Sequence, residues 1–127
     1  MGHAEANIAI DRPADDVWAL IRDFGGIGWM PGVDDVKVSG DTRTLSMLGM
    51  EIVEELRSND DATRRQVYGI VGGGLPVEHH EGTITVTPQG GGCTVTWAVD
   101  VQPDSLTDIM HKSYQGALGA LRDKLQA

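Results

Sequence analysis

Between residues 33 and 101 no stretch is long enough for a helix before turn residues interrupt it. The breaks fall at Gly40-Asp41, Gly49, 58–61, 72–76 and 88–92, and they leave runs at 33–39, 42–48, 50–57, 63–71, 77–87 and 93–101. Runs of this length, bounded by Gly, Asn, Asp and Pro, read as strands. Connections this short join antiparallel neighbours, because a parallel crossover needs a dozen or more residues. A further strand precedes them at 3–10, with Ala4, Ala6, Ile8 and Ile10 alternating onto one face. A sheet with one apolar face must bury it, and the chain carries one long element suited to that: "SLTDIMHKSYQGALGALRDKLQA", starting at Ser105.

That closing segment reads as a helix with Ser105 as N-cap and Asp108 three residues on. Its broad apolar face is Leu106, Ile109, Met110, Ala117, Leu118, Leu121 and Leu125. A shorter helix follows the first strand in "DRPADDVWALIRDF". Pro13 suits its first turn, Asp15 and Asp16 complement its positive end, and Val17, Leu20, Ile21 and Phe24 form a stripe. Gly25-Gly26 ends it, and "IGWMPG" reads as a second short helix or turn. The expected fold class is α+β, in a single domain over 1–127.

The formal charge of −9 disfavours phosphate backbones and anionic membrane surfaces, so neither nucleic acid nor membrane insertion is expected. A lone cysteine, Cys93, has no internal partner for a disulfide and suits a reducing compartment. Nothing reads as a leader or a membrane span, and the expected location is the cytoplasm.

Side chains alternate across a strand, so inward and outward sets can be read wherever one set is apolar. In the last strand Val95, Trp97, Val99 and Val101 take the inner face. On 50–57, Met50, Ile52 and Leu56 share a face with Glu54, which puts one carboxylate on the apolar side. On 63–71 parity alone does not decide, and Tyr68 is read as inward. In "EHHE", Ile84 shares parity with His80 and Glu78, whereas His79 and Glu81 fall on the outer face. Adjacent histidines facing opposite ways do not chelate one ion, so no metal is expected. A β-bulge near Pro76 or Gly82 would invert the assignment. "GGG" at 72–74 lacks the following helix of a phosphate loop and reads as a hairpin loop.

The stretches "RPADDVWALIRDFGGIGWMPGV", "IVEEL" and "GLPVEHHEGTITVTPQGGGCTVTWAVDV", together with the final helix, resemble the SRPBCC superfamily in its polyketide cyclase/dehydrase-like branch. The resemblance covers essentially the whole chain. It implies the helix-grip fold of START domains, the birch-pollen allergen and the abscisic-acid receptors. That fold is a seven-stranded antiparallel sheet wrapped around a long C-terminal helix, with two short helices after the first strand. Ligands of this fold lie between sheet and helix, and receptor positions matching Glu54 and His80 line the cavity. Lys37 aligns with a ligand-pairing lysine of those receptors, although its parity opposite Val36 and Val38 points outward. The resemblance also puts Gly74-Leu75-Pro76 at the cavity mouth and reduces the receptors' gate to Leu48-Gly49-Met50, so no large lid motion is expected.

The expected function is therefore binding of a small hydrophobic molecule, with no cofactor, by a monomer or homodimer. Polyketide cyclase- or dehydratase-like chemistry is one form of it. His80 would be the general base or acid, Glu54 or Glu78 its orienting partner, and Tyr68 a donor to a developing oxyanion. Glu78, Trp97, Leu45, Met47, Ile52, Ile84, Met110, Tyr114 and Lys37 are the expected ligand contacts. Two other classes stay open: a non-catalytic carrier or sensor, and a protein-interaction domain with a vestigial cavity. In the plainest alternative, the inward polar groups sit wet at the open end of the sheet with no task.

Overall fold

The computed structural model describes residues 1–47 and 49–127. Strand β1 (Gly2–Ile10) leads into helix α1 (Ala14–Arg22) and a 3-10 turn at Ile27–Trp29. Strands β2 (Val33–Ser39), β3 (Thr42–Met47), β4 (Met50–Asp60), β5 (Arg65–Gly73), β6 (His79–Gln89) and β7 (Gly92–Gln102) follow. A 3-10 turn at Asp104–Leu106 then enters helix α2 (Thr107–Gln126). The order across the sheet is β1-β7-β6-β5-β4-β3-β2, every described pair antiparallel. A meander thus runs from β2 to β7, and β1 closes against β7. This is the α+β helix-grip architecture, with α2 lying across the concave apolar face.

The N-terminus of α2 departs from the sequence expectation. Ser105 lies within the 3-10 turn, and the helix begins two residues later without a side-chain cap. The Thr107 hydroxyl instead donates to the Asp104 carbonyl at 2.7 Å. The second expected helix after β1 is only the single 3-10 turn.

Strand ends also differ. Residues 58–61 do not all form a loop: Ser58, Asn59 and Asp60 pair with Val67, Gln66 and Arg65. The tighter turn is possible because Asp60 Oδ1 accepts the Ala62 and Thr63 amides and Arg64 takes φ +52°. Two register shifts interrupt β4–β5, between Val53 and Glu54 and between Leu56 and Ser58. The inner face of β5 still carries Gln66, Tyr68 and Ile70.

The sheet–helix sandwich is unevenly filled. Toward α1, Ile10, Val17, Val86, Val95, Leu118 and Leu121 are at most 2% exposed, which is close packing. Trp18 is buried there and donates to Asp61 at 2.8 Å, tying α1 to the β4–β5 hairpin. Toward the start of α2, where Leu106 is partly exposed and Ile109 is exposed, the interior opens.

Candidate ligand cavity

That opening is a cavity of about 200 Å³ between the sheet and α2. Its walls are mostly apolar. Ile27 and Met30 come from the segment after α1, Leu45 and Met47 from β3, and Met50 and Ile52 from β4. Ile70 on β5, Leu75 in the β5–β6 loop, and Ile109 and Met110 on α2 complete the apolar part. Ile109 is 62% exposed, and Met50 and Leu75 are half-buried, so these mark the mouth. Ile109 thus leaves the buried stripe expected of it, because the first turns of α2 overhang the opening rather than packed sheet. Of the short link between β3 and β4, Leu48 lies outside the described residues, and Gly49 takes φ +75°.

Two polar clusters meet the inner end of the cavity. In the first, the β3–β4 register sets Arg43 directly opposite Glu54. Arg43 Nε and Nη2 reach Glu54 Oε1 at 2.8 and 2.7 Å, and Nη1 donates to the Phe24 carbonyl at 2.8 Å. The guanidinium also lies 3.8 Å from the centre of the Phe24 ring, a cation–π contact. Arg43 is 2% and Glu54 7% exposed. Burial pushes the Glu54 carboxyl above its ordinary value, and Arg43 pulls it back only in part.

The second cluster is neutral. The β5–β6 ladder stops at Tyr68–Gly82, and beyond it the strands separate. His80 fills the gap: its Nδ1 accepts the Ile70 backbone N–H at 3.2 Å, in place of a ladder bond. An amide N–H can only donate, so the imidazole proton resides on Nε2, 2.9 Å from Tyr114 Oη. Tyr68 and Tyr114 hydroxyls are 3.1 Å apart, and Trp97 Nε1 donates to Tyr68 Oη at 3.0 Å. Trp97 and Tyr114 rings stack at 4.3 Å. Gly82 is required here, since a Cβ would lie 2.6 Å from the Tyr68 ring. Burial, the charge of Arg57 and His79 lower the His80 pKa to about 4, so it is neutral at physiological pH. Burial raises both phenols well above the ordinary value.

Of the sequence-predicted residues, Glu54, Tyr68, Trp97, Leu45, Met47, Ile52, Met110 and Tyr114 stand at the cavity wall. Four do not. His80 is on the inner face but stands behind Tyr114, away from the wall, and no carboxylate is hydrogen-bonded to it. Glu54 is engaged by Arg43, so it does not orient His80. Glu78 is exposed, because β6 begins at His79 and the alternation does not extend past it. Ile84 is buried but lies toward the close-packed end, paired with Trp97 and Gln66. Lys37 is exposed on the outer face of the edge strand β2, as its parity implied. His79 is exposed.

Sequence reasoning passed over Arg43, although it shares parity with Leu45 and Met47. It also passed over Met30 and Ser113 at the wall. Among the described residues no three His, Cys, Asp or Glu side chains gather as a metal-ligand set. None of the described helices is long and apolar enough to cross a membrane.

A helix-grip sheet enclosing an apolar cavity with a few inward polar groups defines the class of hydrophobic-ligand-binding domains. Residues 1–126 match the family described as polyketide cyclase/dehydrase and lipid transport, and the chain belongs to that family, within the SRPBCC superfamily. No curated protein matches the sequence. Among solved structures, the protein XoxI from Bacillus cereus is 27% identical with TM-score 0.91, over 98% of this chain and 95% of that one. A START superfamily protein from Mycobacterium smegmatis is 11% identical with TM-score 0.83, over 99% and 98% of the two chains. Norcoclaurine synthase from Thalictrum flavum, in complex with dopamine and hydroxybenzaldehyde, is 18% identical with TM-score 0.78, over 98% and 86%. At these last two identities the likeness is one of fold.

Proposed function

We propose that the chain binds a small, mainly apolar molecule in this cavity and carries out cofactor-free proton-transfer chemistry on it, of the kind used in cyclisation or dehydration. The observation that supports this is the meeting of a buried carboxyl, Glu54, with two buried phenols, Tyr68 and Tyr114, at one end of an otherwise apolar cavity. Glu54 Oε1 is taken by Arg43, and among the described residues Oε2 has no hydrogen-bond partner. It is the group at the wall suited to move a proton, and its raised pKa brings it nearer the operating pH of a general acid–base. The phenols would stabilise oxygen charge developing on the substrate. His80 has no free lone pair for the ligand, and its role in this reading is to position Tyr114.

A carrier or sensor is the second reading, favoured by the engagement of Glu54 Oε1 with Arg43, which dampens its basicity. The test is Glu54→Gln, assayed with a compound from a screen of small aromatic and carbonyl compounds that binds and is turned over. An enzyme of this design loses about 10²–10⁴-fold in turnover while affinity changes by about tenfold at most. Unchanged turnover in Glu54→Gln removes Glu54 from the chemistry. Saturable binding with no turnover of any bound compound assigns the cavity to a carrier.

A further inference from the structure

The neutral cluster contains one more hydrogen than it can use internally. Ile70 N–H and Trp97 Nε1–H are obligate donors, spent on His80 Nδ1 and Tyr68 Oη. The His80 Nε2 proton goes to Tyr114 Oη. The remaining contact, between the two hydroxyls at 3.1 Å, consumes one of the two phenolic protons, whichever tyrosine donates. The other phenolic proton has no acceptor among the described residues. Both tyrosines line the cavity and are 1% and 6% exposed, so the space this proton can reach is the cavity itself. Burial keeps both groups protonated at neutral pH.

Size narrows the ligand further. An apolar protein cavity of about 150 Å³ holds benzene, so about 200 Å³ admits one ring with a short substituent, not a fused polycycle. Charge narrows it again: the one cation at the described wall, Arg43, is already paired with Glu54, leaving nothing to offset a carboxylate.

We infer that the cavity recognises a neutral, single-ring-sized carbonyl compound whose oxygen accepts the spare hydroxyl proton of the Tyr68–Tyr114 pair. The inference rests on the ligand-binding reading above and names the class of molecule that reading leaves open. A buried donor left unsatisfied is costly, so the site discriminates against a ligand of equal shape without the oxygen.

Acetophenone and α-methylstyrene are such a pair, differing by C=O against C=CH₂. Each is titrated into the wild-type protein, with binding followed calorimetrically and each dissociation constant corrected for that probe's own water-to-cyclohexane partition. The corrected affinity is expected to favour acetophenone by about tenfold or more. The infrared carbonyl stretch of bound, carbonyl-¹³C-labelled acetophenone is expected to lie below its value in cyclohexane, the shift a phenol donor causes. Saturable binding of both probes with equal corrected affinity and an unshifted stretch overturns the inference while leaving the cavity reading intact. Failure of both probes to bind overturns the two together.

Discussion

On the β3–β4 side of the cavity, Arg43 and Glu54 meet as ions, each the other's main partner. On the β5–β7 side, Tyr68, His80, Trp97 and Tyr114 meet as neutral groups that share hydrogens along a chain. Both clusters are buried at the same apolar wall, yet they solve the problem of burial differently. The ion pair offsets desolvation by charge, and its members depend on each other: remove one and the other is stranded. The neutral chain has low desolvation cost, but its members are almost all donors, and it has a donor to spare. Polar groups on one cavity wall can therefore be held mainly by each other on one side and carry a spare hydrogen on the other. Hydrogen-bond stoichiometry separates the two cases where burial does not.

The largest expected effect comes from breaking the ionic side. Arg43→Met leaves Glu54 buried without its cation and is expected to cost about 3–5 kcal/mol of unfolding free energy in urea. Adding Glu54→Leu removes the stranded charge and is expected to recover most of that loss. A double variant as unstable as the single one would mean that Arg43 acts through its stacking on Phe24, not through the ion pair.

The neutral side responds to pH instead. Unfolded His80 takes its proton near the ordinary value of 6.5, folded His80 only near about 4. As pH falls through that interval the unfolded state binds a proton that the folded state does not. The stabilising contribution is thus whole above 6.5 and lost by about pH 4, an interval worth about 3 kcal/mol. Between pH 7 and 4 the wild type should lose about that much more stability than His80→Gln, whatever the variant's starting stability. Parallel stability–pH curves would show that His80 titrates as a solvated histidine.

Much of this wall was legible in the sequence because strand alternation is a local rule. Ile84 and Val95 on the inner face fixed His80 and Trp97 there, and Met50 and Ile52 did the same for Glu54. Alternation gives the face but not the position along it, so Ile84 was placed at the cavity when it belongs to the packed end. It also stops where the strand stops, which is why Glu78 came out exposed. The pairing of Glu54 with Arg43 depends on β3–β4 register, and the His80–Ile70 contact on a gap between β5 and β6. Both are properties of the assembled sheet, with no signature in either strand alone. Arg43 could have been found from its parity with Leu45 and Met47.

If the space between sheet and α2 is a ligand site, the methionines report on it directly. Of the five in the chain, Met30, Met47, Met50 and Met110 line the cavity, whereas Met1 is 65% exposed and is not part of its wall. With ¹³C-methyl-labelled methionine, titration with acetophenone is expected to move those four resonances together, along one saturation curve, and to leave Met1 in place. Four stationary cavity signals at saturating probe, or movement of Met1 alone, would show that the space between sheet and α2 does not take the ligand.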